Sequence, residues 1–280
     1  MVKLPMRLFR LLALYARLDI LAVMGNPKMF FGWAISDAVL NIGSITGMLL
    51  IAERFAGIGI WSKFQVYFLL GYAALVEGLV STCFGYNVAF ISRRLGRGQF
   101  DHTLIQPQPI WLSLLTEGFS PMYGLPTMLP GLVLLSVGLS HLPVLLSLGW
   151  ILQLLLYLVA SATILMAFQF GWGSLAFWQP RAEEEINNST ARLMFELKGF
   201  PLERVGSVLH LTMLTALPVG FLSWIPCRVL LGFDHSLATA WSTPLVALLF
   251  AALATGLFLR GKEHYARTGA QRYSDFGHRR

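Results

Sequence analysis

Three carboxylates lie within long apolar stretches of the sequence, and they are the residues best placed to do chemistry: Asp37, Glu77 and, nearer the end of its stretch, Glu117. A charge at the centre of a bilayer costs at least about 2.5 to 3.5 kcal/mol on insertion scales, so each carboxylate requires a partner or a task. Such a group could line a polar pathway for a cationic or hydroxylated substrate, or it could carry a proton. The structural alternative is a hydrogen bond between helices, with Asn41, Ser44 or a nearby backbone group as the partner.

A second candidate site is the segment 91–109, which lies between two apolar stretches and carries three arginines: Arg93, Arg94 and Arg97. Basic side chains in this position would hold the segment at a negatively charged membrane surface. Gly98 permits a sharp turn, residues 99–104 predict a short helix, and Pro107 would end that helix. This is more local structure than a chain needs merely to reverse direction.

Patterns typical of enzymes are missing from the sequence. It contains no GxxxxGK[ST] motif, so if the protein uses ATP, another chain must bind it. It contains no GxSxG or HExxH motif, and its six histidines are scattered. Cys83 and Cys227 are far apart and outside any CxxC pair, which favours packing over a metal site or a disulfide. We therefore predict no catalytic residues, no metal ligands and no cofactor bound by this chain.

The composition identifies the solvent that surrounds the protein. Of 280 residues, 56% are hydrophobic and only 12% are charged, about half the charged fraction of an ordinary soluble domain. A water-soluble globule could not bury so much apolar surface. The net charge of +7 would suggest nucleic acid in a soluble protein, but here the basic residues lie between apolar stretches. We therefore expect a lipid bilayer as the surroundings and no nucleic acid as a partner.

The apolar stretches that position these sites predict an all-α polytopic membrane protein, a single transmembrane domain over residues 1–280. Each stretch is near the length of about 20 residues that a helix needs to cross the hydrocarbon. The six predicted spans are 29–51, 64–90, 110–139 with a break at Ser120–Pro121, 144–170, 208–225 and 237–259.

The first residues predict a helix that lies on the membrane surface rather than across it. At the helical period, Lys3, Arg7, Arg10 and Arg17 fall on one face of residues 4–24, and leucines occupy the opposite face. The alternative is a simple basic flank that follows the positive-inside rule.

Charge also predicts the orientation. With the N-terminus inside, residues 1–28, 91–109, 171–207 and the basic tail 260–280 are cytoplasmic and hold 18 of the 21 lysines and arginines. On the outer side, residues 226–236 are too apolar for a free loop, so we expect a re-entrant turn there. Within 171–207, residues 180–198 predict a cytoplasmic helix that packs on a partner or on its own spans.

Segment 91–109 resembles one branch of the permease subunits of type 2 ATP-binding cassette (ABC) exporters in bacteria. In that branch the loop after the second span carries a motif whose residues here are Ile91, Arg97, Gly98, Phe100, Asp101, Leu104, Ile105 and Pro107. Gln106 departs from the motif, which usually has a basic residue before the proline. The resemblance extends to the surface helix, the six spans, the stretch Pro226–Gly232 and a tail with Gly261, Tyr265 and Gly269.

The resemblance implies a type 2 ABC exporter fold in a bacterial inner membrane, with both termini cytoplasmic. It implies two ABC ATPase subunits as partners, which bind ATP and Mg, and a second permease, either another copy or a related chain. It also implies that residues 91–109 form a coupling loop in contact with the ATPase. Phe100 would be the buried anchor of that contact, and the residues around it would orient the loop: Arg93, Arg94, Arg97, Gly98 and Asp101.

Three alternatives remain at this point. The loop could be a solvated turn that only follows the inside rule. The protein could be a proton-coupled secondary transporter that uses Asp37, Glu77 or Glu117, although such proteins usually carry inverted repeats, and none is visible here. A membrane enzyme acting on lipid would need an acid, a base and a nucleophile at one interface, and no such set converges.

Overall fold

The computed structural model describes residues 4–89, 91–203 and 206–269, without the side chains of 4, 5, 44, 85–89 and 180–184. Lys3, the predicted span end at residue 90 and the tail beyond residue 269 lie outside the described residues, as does the side chain of Ser44. The elements are α1 (Leu4–Gly25), α2 (Pro27–Arg54), β1 (Gly57–Ile58), β2 (Trp61–Ser62), α3 (Lys63–Ala89), α4 (Ile91–Gly96), α5 (Phe100–Leu104), α6 (Ile110–Thr116), α7 (Pro121–Ser140), α8 (Leu148–Ser174), α9 (Pro180–Leu197), α10 (Ser207–Leu214), α11 (Trp224–Leu230) and α12 (Leu237–Thr268). Short 3₁₀ turns follow α8 at Leu175–Phe177 and α10 at Pro218–Phe221.

The architecture is that of an all-α polytopic membrane protein, as the sequence predicted. Among the described residues, five helices are long and apolar enough to cross a membrane, namely α2, α3, α7, α8 with the turn after it, and α12. The third predicted span is divided between α6 and α7 at the Ser120–Pro121 step, because a proline cannot donate to the preceding turn of a helix.

Glycines let the central helices α3 and α7 approach closely. A Cβ atom on Gly71 would lie 2.8 Å from the carbonyl oxygen of Gly131, and one on Gly138 would lie 2.8 Å from the backbone nitrogen of Phe68. Small residues at helix interfaces are typical of membrane bundles, where close van der Waals contact replaces the hydrophobic effect as the driving force. The pair α3–α7 therefore forms the centre against which α8 and α2 pack.

The two ends of the bundle are marked by different connections. The β1–β2 hairpin, residues 57–62, marks the hairpin end, and segment 91–109 marks the loop end. Helix α1 lies towards the loop end, where Asp19 accepts hydrogen bonds of 2.8 Å from the Ser120 hydroxyl and from the Met122 backbone N–H. The carboxylate of Asp19 thus satisfies donors at the start of α7, where the helix dipole favours a negative charge.

The continuous helix predicted over Val208–Ile225 does not form. Helices α10 and α11 are bent by 61° at the intervening turn, where Pro218 lacks a backbone N–H and disfavours helical geometry at Leu217. Both ends of the pair lie at the hairpin end. The Trp61 indole N–H donates to Glu203, just before α10, at 2.6 Å, and the Trp150 indole N–H donates to the carbonyl of Leu230 at 3.0 Å.

The middle of the bent pair reaches deep into the bundle. The Ser161 hydroxyl, about 20 Å along α8 from its start, donates to the Phe221 carbonyl at 3.0 Å. Segment 207–230 therefore enters and leaves the bundle from the hairpin end. This re-entrant path begins about twenty residues before the turn predicted at 226–236.

Helix α9 leads from the loop end of the bundle towards its middle, and the chain after it continues to the hairpin end. In the first half of the helix, Asn187 donates to the Ser92 hydroxyl at 3.4 Å at the loop end. Just beyond its last turn, Lys198 pairs with Glu77 in the middle of α3, and Glu203 follows at the hairpin end. Segment 171–207 therefore makes contacts at both ends of the molecule. Its charges had predicted a segment at the cytoplasmic end alone.

Candidate functional site

The candidate site is segment 91–109, which folds as two short helices, α4 and α5. Gly98 joins them with a φ of +69°, a left-handed conformation that glycine adopts without a steric penalty. Its N–H donates to the Leu95 carbonyl at 3.0 Å, and the N–H of Gln99 donates to the Arg94 carbonyl at 2.9 Å. The turn is thus fixed by its own backbone hydrogen bonds.

Phe100 is fully buried, and its neighbours belong to this chain. Its ring centroid lies 5.3 Å from that of Phe177, 5.7 Å from that of Tyr265 and 6.2 Å from that of Phe258, all in edge-to-face geometry. We call Phe100, Phe177, Phe258 and Tyr265 the aromatic clamp. Each such ring pair contributes about 0.5 to 1.5 kcal/mol beyond its area burial. The clamp fastens α5 to the end of α8 and to the last turns of α12.

Asp101 faces the same clamp. The Tyr265 hydroxyl donates to its carboxylate at 2.6 Å, within the range of a charge-assisted hydrogen bond. The sequence had assigned Phe100 and Asp101 to the surface that meets an ATPase. In the folded chain both side chains contact α12: the ring of Phe100 is fully buried against it, and Asp101 accepts the bond from Tyr265 while staying partly exposed.

The tail pattern of Gly261, Tyr265 and Gly269 has its explanation in this contact. A Cβ atom on Gly261 would collide with the ring of Phe177, so only glycine leaves space for the clamp. Gly269 ends α12 with a φ of +77°, and its N–H donates to the Tyr265 carbonyl at 2.9 Å. The pattern fits the end of α12 to the loop.

Arg94 pairs with Glu117 at 2.8 Å, and both side chains are mostly buried. This contact joins α4 to the end of α6 and removes Glu117 from the set of free carboxylates. Tyr15 of α1 lies nearby, where burial and, to a smaller extent, the charge of Glu117 raise its pKa. Arg94 therefore connects two elements of this chain.

The outer surface of the loop carries a different set of residues. Arg97 is exposed as predicted, Arg93 is half-buried, and Ile105 is 80% exposed. The sequence had not singled out Ile105 and His102 as surface contacts, although both lie in or beside the motif. An exposed apolar side chain beside basic and polar groups has the make-up of an interface core bordered by a polar rim.

The carboxylates within the long helices contact neighbouring helices. Asp37 accepts from the Asn41 amide at 3.0 Å and from the Thr127 hydroxyl of α7 at 3.3 Å. Glu77 forms its ion pair with Lys198. These contacts match the structural alternative stated for Asp37 and Glu77, and the partners Thr127 and Lys198 could not have been chosen from sequence spacing.

Glu203 is a polar centre that the sequence analysis did not find. At the hairpin end its Oε1 atom accepts hydrogen bonds of 2.6 Å from the indoles of Trp61 and Trp224, and Arg228 lies 3.1 Å away. The contacts hold the re-entrant pair against the hairpin. No local pattern marks Glu203, because its partners lie in two other segments, the hairpin and α11.

Within the described part of the chain, no three His, Cys, Asp or Glu side chains come together as metal ligands. Cys227 is buried and Cys83 half-buried, and each has a free thiol.

Comparison with known families gives one result that covers most of the chain. A family model described as "ABC-2 family transporter protein" matches residues 28–269. Comparisons with curated proteins and with solved structures give no match.

Proposed function

The chain belongs to the ABC-2 transporter family, and from that premise we propose that it is the permease of an ATP-driven exporter whose ATPase subunits couple through residues 91–109. Membership makes it a multi-pass membrane protein and a permease component of an ABC transporter. The proposal adds the direction of transport, the coupling loop, two ATPase subunits that bind ATP and Mg, and a second permease.

The aromatic clamp is the observation that carries this proposal. A coupling element must transmit force, and a loop that moved independently of its spans could not do so. Through Phe100 and Asp101, helix α5 is fixed to α12 and to the turn after α8, while Arg94 fixes α4 to α6. A displacement of the loop by a partner would therefore move α12, α6 and the turn after α8 together, because packed interiors shift as units rather than deform continuously.

We assign the ATPase contact to the exposed side of this loop. Ile105 would insert into an apolar depression of the partner, and Arg97 and His102 would orient it from the polar rim. Phe100, Asp101 and Gly98 then act as positioning residues. This assignment keeps the loop predicted from sequence and changes which of its side chains face outwards.

The proposed orientation puts the loop end in the cytoplasm. Arg93, Arg94 and Arg97 lie there with the basic last turns of α12, whereas the hairpin end has Arg54, Lys63 and Arg228. The positive-inside rule favours this arrangement. With six crossings, both termini would then lie on the cytoplasmic side of a bacterial inner membrane.

Helix α9 supplies the sixth crossing in this proposal. Its exposed face carries polar residues at helical spacing, with Ile186 and Leu193 between them: Glu185, Asn188, Arg192 and Glu196. Such a face is costly against lipid, so it would instead border a polar pathway shared with a second permease. The pair Arg192–Glu196, with a 2.7 Å contact, would lie beside the cargo.

The proton-coupled alternative has weaker support. Glu77 and Glu117 each form an ion pair with a basic residue, and Asp37 is held by two polar side chains. A proton carrier would have to break one of these contacts in every cycle.

A purification experiment tests the proposal. Affinity-tagged protein is isolated from its native membrane in mild detergent, and the chains that accompany it are identified by mass spectrometry. We expect a chain with a P-loop, lost on Ile105→Asp and retained on Ile60→Asp, the same change at an exposed position in the hairpin turn. If the unaltered protein brings down no P-loop chain under conditions that preserve other membrane complexes, the proposal is wrong.

A further inference from the structure

A groove of about 580 Å³ opens on the flank of the bundle, in the half nearest the loop end. Helices α6, α8 and α12 form its walls, with Phe84 of α3 at its back. Its volume is within the range of about 300 to 1,000 Å³ typical of ligand sites. None of the contacts described for the coupling loop or the intramembrane carboxylates requires such a cavity.

Small side chains create the groove. Its lining includes Ala167 and Thr163 of α8 and Ala251 and Thr255 of α12, whose short side chains leave a trough between larger neighbours. Leu115 and Leu259, also in the lining, are both more than one-third exposed, so the trough opens sideways. In a membrane-spanning chain that opening faces the acyl chains of the bilayer.

The length of the groove matches one leaflet. Along α12 it extends from Ala251 to Lys262, which at the helical rise is about 16 Å. Half of the hydrocarbon core of a bilayer is about 15 Å. A single acyl chain could therefore lie along the groove with its headgroup at the Lys262 end.

Lys262 gives the groove its specificity. Of the described residues that line the groove, it alone is ionisable. It is half-buried, and no carboxylate among the described residues pairs with it. Other charges on this part of α12, Arg260 and Glu263, are exposed and do not line the groove. A half-buried cation at the membrane surface next to an acyl-sized trough is complementary to an anionic headgroup.

We propose that this groove binds an anionic phospholipid from the leaflet at the loop end, with one acyl chain in the trough and its phosphate at Lys262. Trp111, which lines the same half of the groove and is 45% exposed, would lie at the level of the glycerol backbone, where indole rings are favoured. The proposal depends on the membrane placement of the bundle and not on the ATPase partner.

The lipid would also affect the coupling loop through Phe258. Phe258 lines the groove with one part of its ring and packs against Phe100 and Phe177 of the aromatic clamp. An acyl chain against Phe258 would therefore restrict the ring on which α5 rests. Occupancy is expected to reduce hydrogen exchange in residues 100–104.

Native mass spectrometry of the purified permease complex tests this site. Protein reconstituted with equal amounts of phosphatidylglycerol and phosphatidylcholine is released from detergent micelles, and the retained lipids are counted. We expect preferential retention of phosphatidylglycerol. Lys262→Gln should reduce that preference about fivefold, the factor that corresponds to the roughly 1 kcal/mol contributed by one basic residue near an anionic surface. The control Arg260→Gln, on the same helix outside the groove, should reduce it less than Lys262→Gln does.

A second variant separates the trough from the charge. Thr255→Trp would fill the groove and should abolish retention of both lipids, while a thermal unfolding scan reports whether the fold is preserved. Equal retention of the two lipids by the unaltered protein, or an unchanged preference in Lys262→Gln, would overturn the proposal, as would recovery of a non-lipid cargo from the groove. Co-purification of the P-loop chain, measured in the same samples, shows separately whether the proposed function holds.

Discussion

Tyr265 donates a hydrogen bond of 2.6 Å to Asp101, a residue 164 positions earlier in the chain. The contact joins the last turns of α12 to the loop 91–109, which follows α3. Its position makes Tyr265 a member of the proposed coupling machinery, although it lies outside the loop itself.

Removal of this hydroxyl should loosen the loop. Tyr265→Phe keeps the ring in the aromatic clamp and leaves the Asp101 carboxylate without this donor, at a cost of about 1.5 to 3 kcal/mol for a bond to a charged group. We expect faster hydrogen exchange in residues 100–104 and less ATP hydrolysis by the assembled complex. Tyr67→Phe, which removes a hydroxyl bonded to Glu53 at the hairpin end, serves as the control. Unchanged exchange in Tyr265→Phe would contradict a positioning role.

Substitutions at Phe100 and Ile105 should have different effects on stability and on ATPase binding. Phe100→Ala removes a fully buried ring, and such changes typically cost about 3 to 5 kcal/mol, so the thermal midpoint should fall. Ile105→Asp alters an exposed side chain and should leave the midpoint within error while the ATPase is lost. Thermal scans combined with co-purification measure both effects. If Phe100→Leu, which retains apolar bulk, lost the ATPase at unchanged stability, Phe100 would be a direct contact after all.

Gly261 should tolerate no side chain. In Gly261→Ala the new methyl group would meet the Phe177 ring, so either the ring or α12 must shift. Gly256→Ala on the same helix meets no atom within 4 Å and should be neutral or slightly stabilising, because alanine favours helix by about 1 kcal/mol. The difference between the two midpoints reports the packing of the clamp. Equal midpoints would mean that the clamp is looser than described.

The Glu77–Lys198 pair distinguishes a structural role from a proton-carrying one. Either Glu77→Gln or Lys198→Met alone leaves a buried charge without its partner. Breaking a buried pair in this way lowers the free energy of unfolding by about 3 to 5 kcal/mol. The double variant removes both charges and should recover most of the stability. We also expect it to retain ATP-dependent activity. A stable double variant without any activity would favour the proton-coupled alternative.

Asp234 should make the start of α12 sensitive to acid. The backbone N–H of Ser236 and the hydroxyl of Thr239 donate to its carboxylate, and these bonds lower its pKa below the ordinary value of 3.8. A lowered folded-state pKa stabilises the fold above the unfolded value, and that contribution is lost as pH falls through the folded value. The protection factors of the amides in residues 236–240, which correct exchange for its intrinsic pH dependence, should therefore fall at low pH. Asp234→Asn should lower these protection factors at neutral pH and remove most of their pH dependence.

Composition and local pattern determined the class of the protein and most of its elements. The sheer amount of apolar sequence requires a membrane, and the helical lengths follow from the thickness of hydrocarbon. Proline at positions 121 and 218 interrupts a helix for a local reason, the missing N–H, although only the first of these breaks was predicted. Gly98 is likewise a local signal, since its left-handed backbone depends on the residue itself. The family likeness read from residues 91–109 agrees with the family model.

Only the tertiary structure decided which way the loop side chains face and where α9 runs. Phe100 is buried because Phe177, Phe258 and Tyr265, all at least 77 residues away, meet at one end of the bundle. Sequence hydropathy counts the charges of this region as free, whereas Lys198, just beyond the end of α9, pairs with Glu77, 121 residues earlier. A charge is costly or tolerable in a membrane according to its partner, and a partner remote in sequence is supplied by the fold alone.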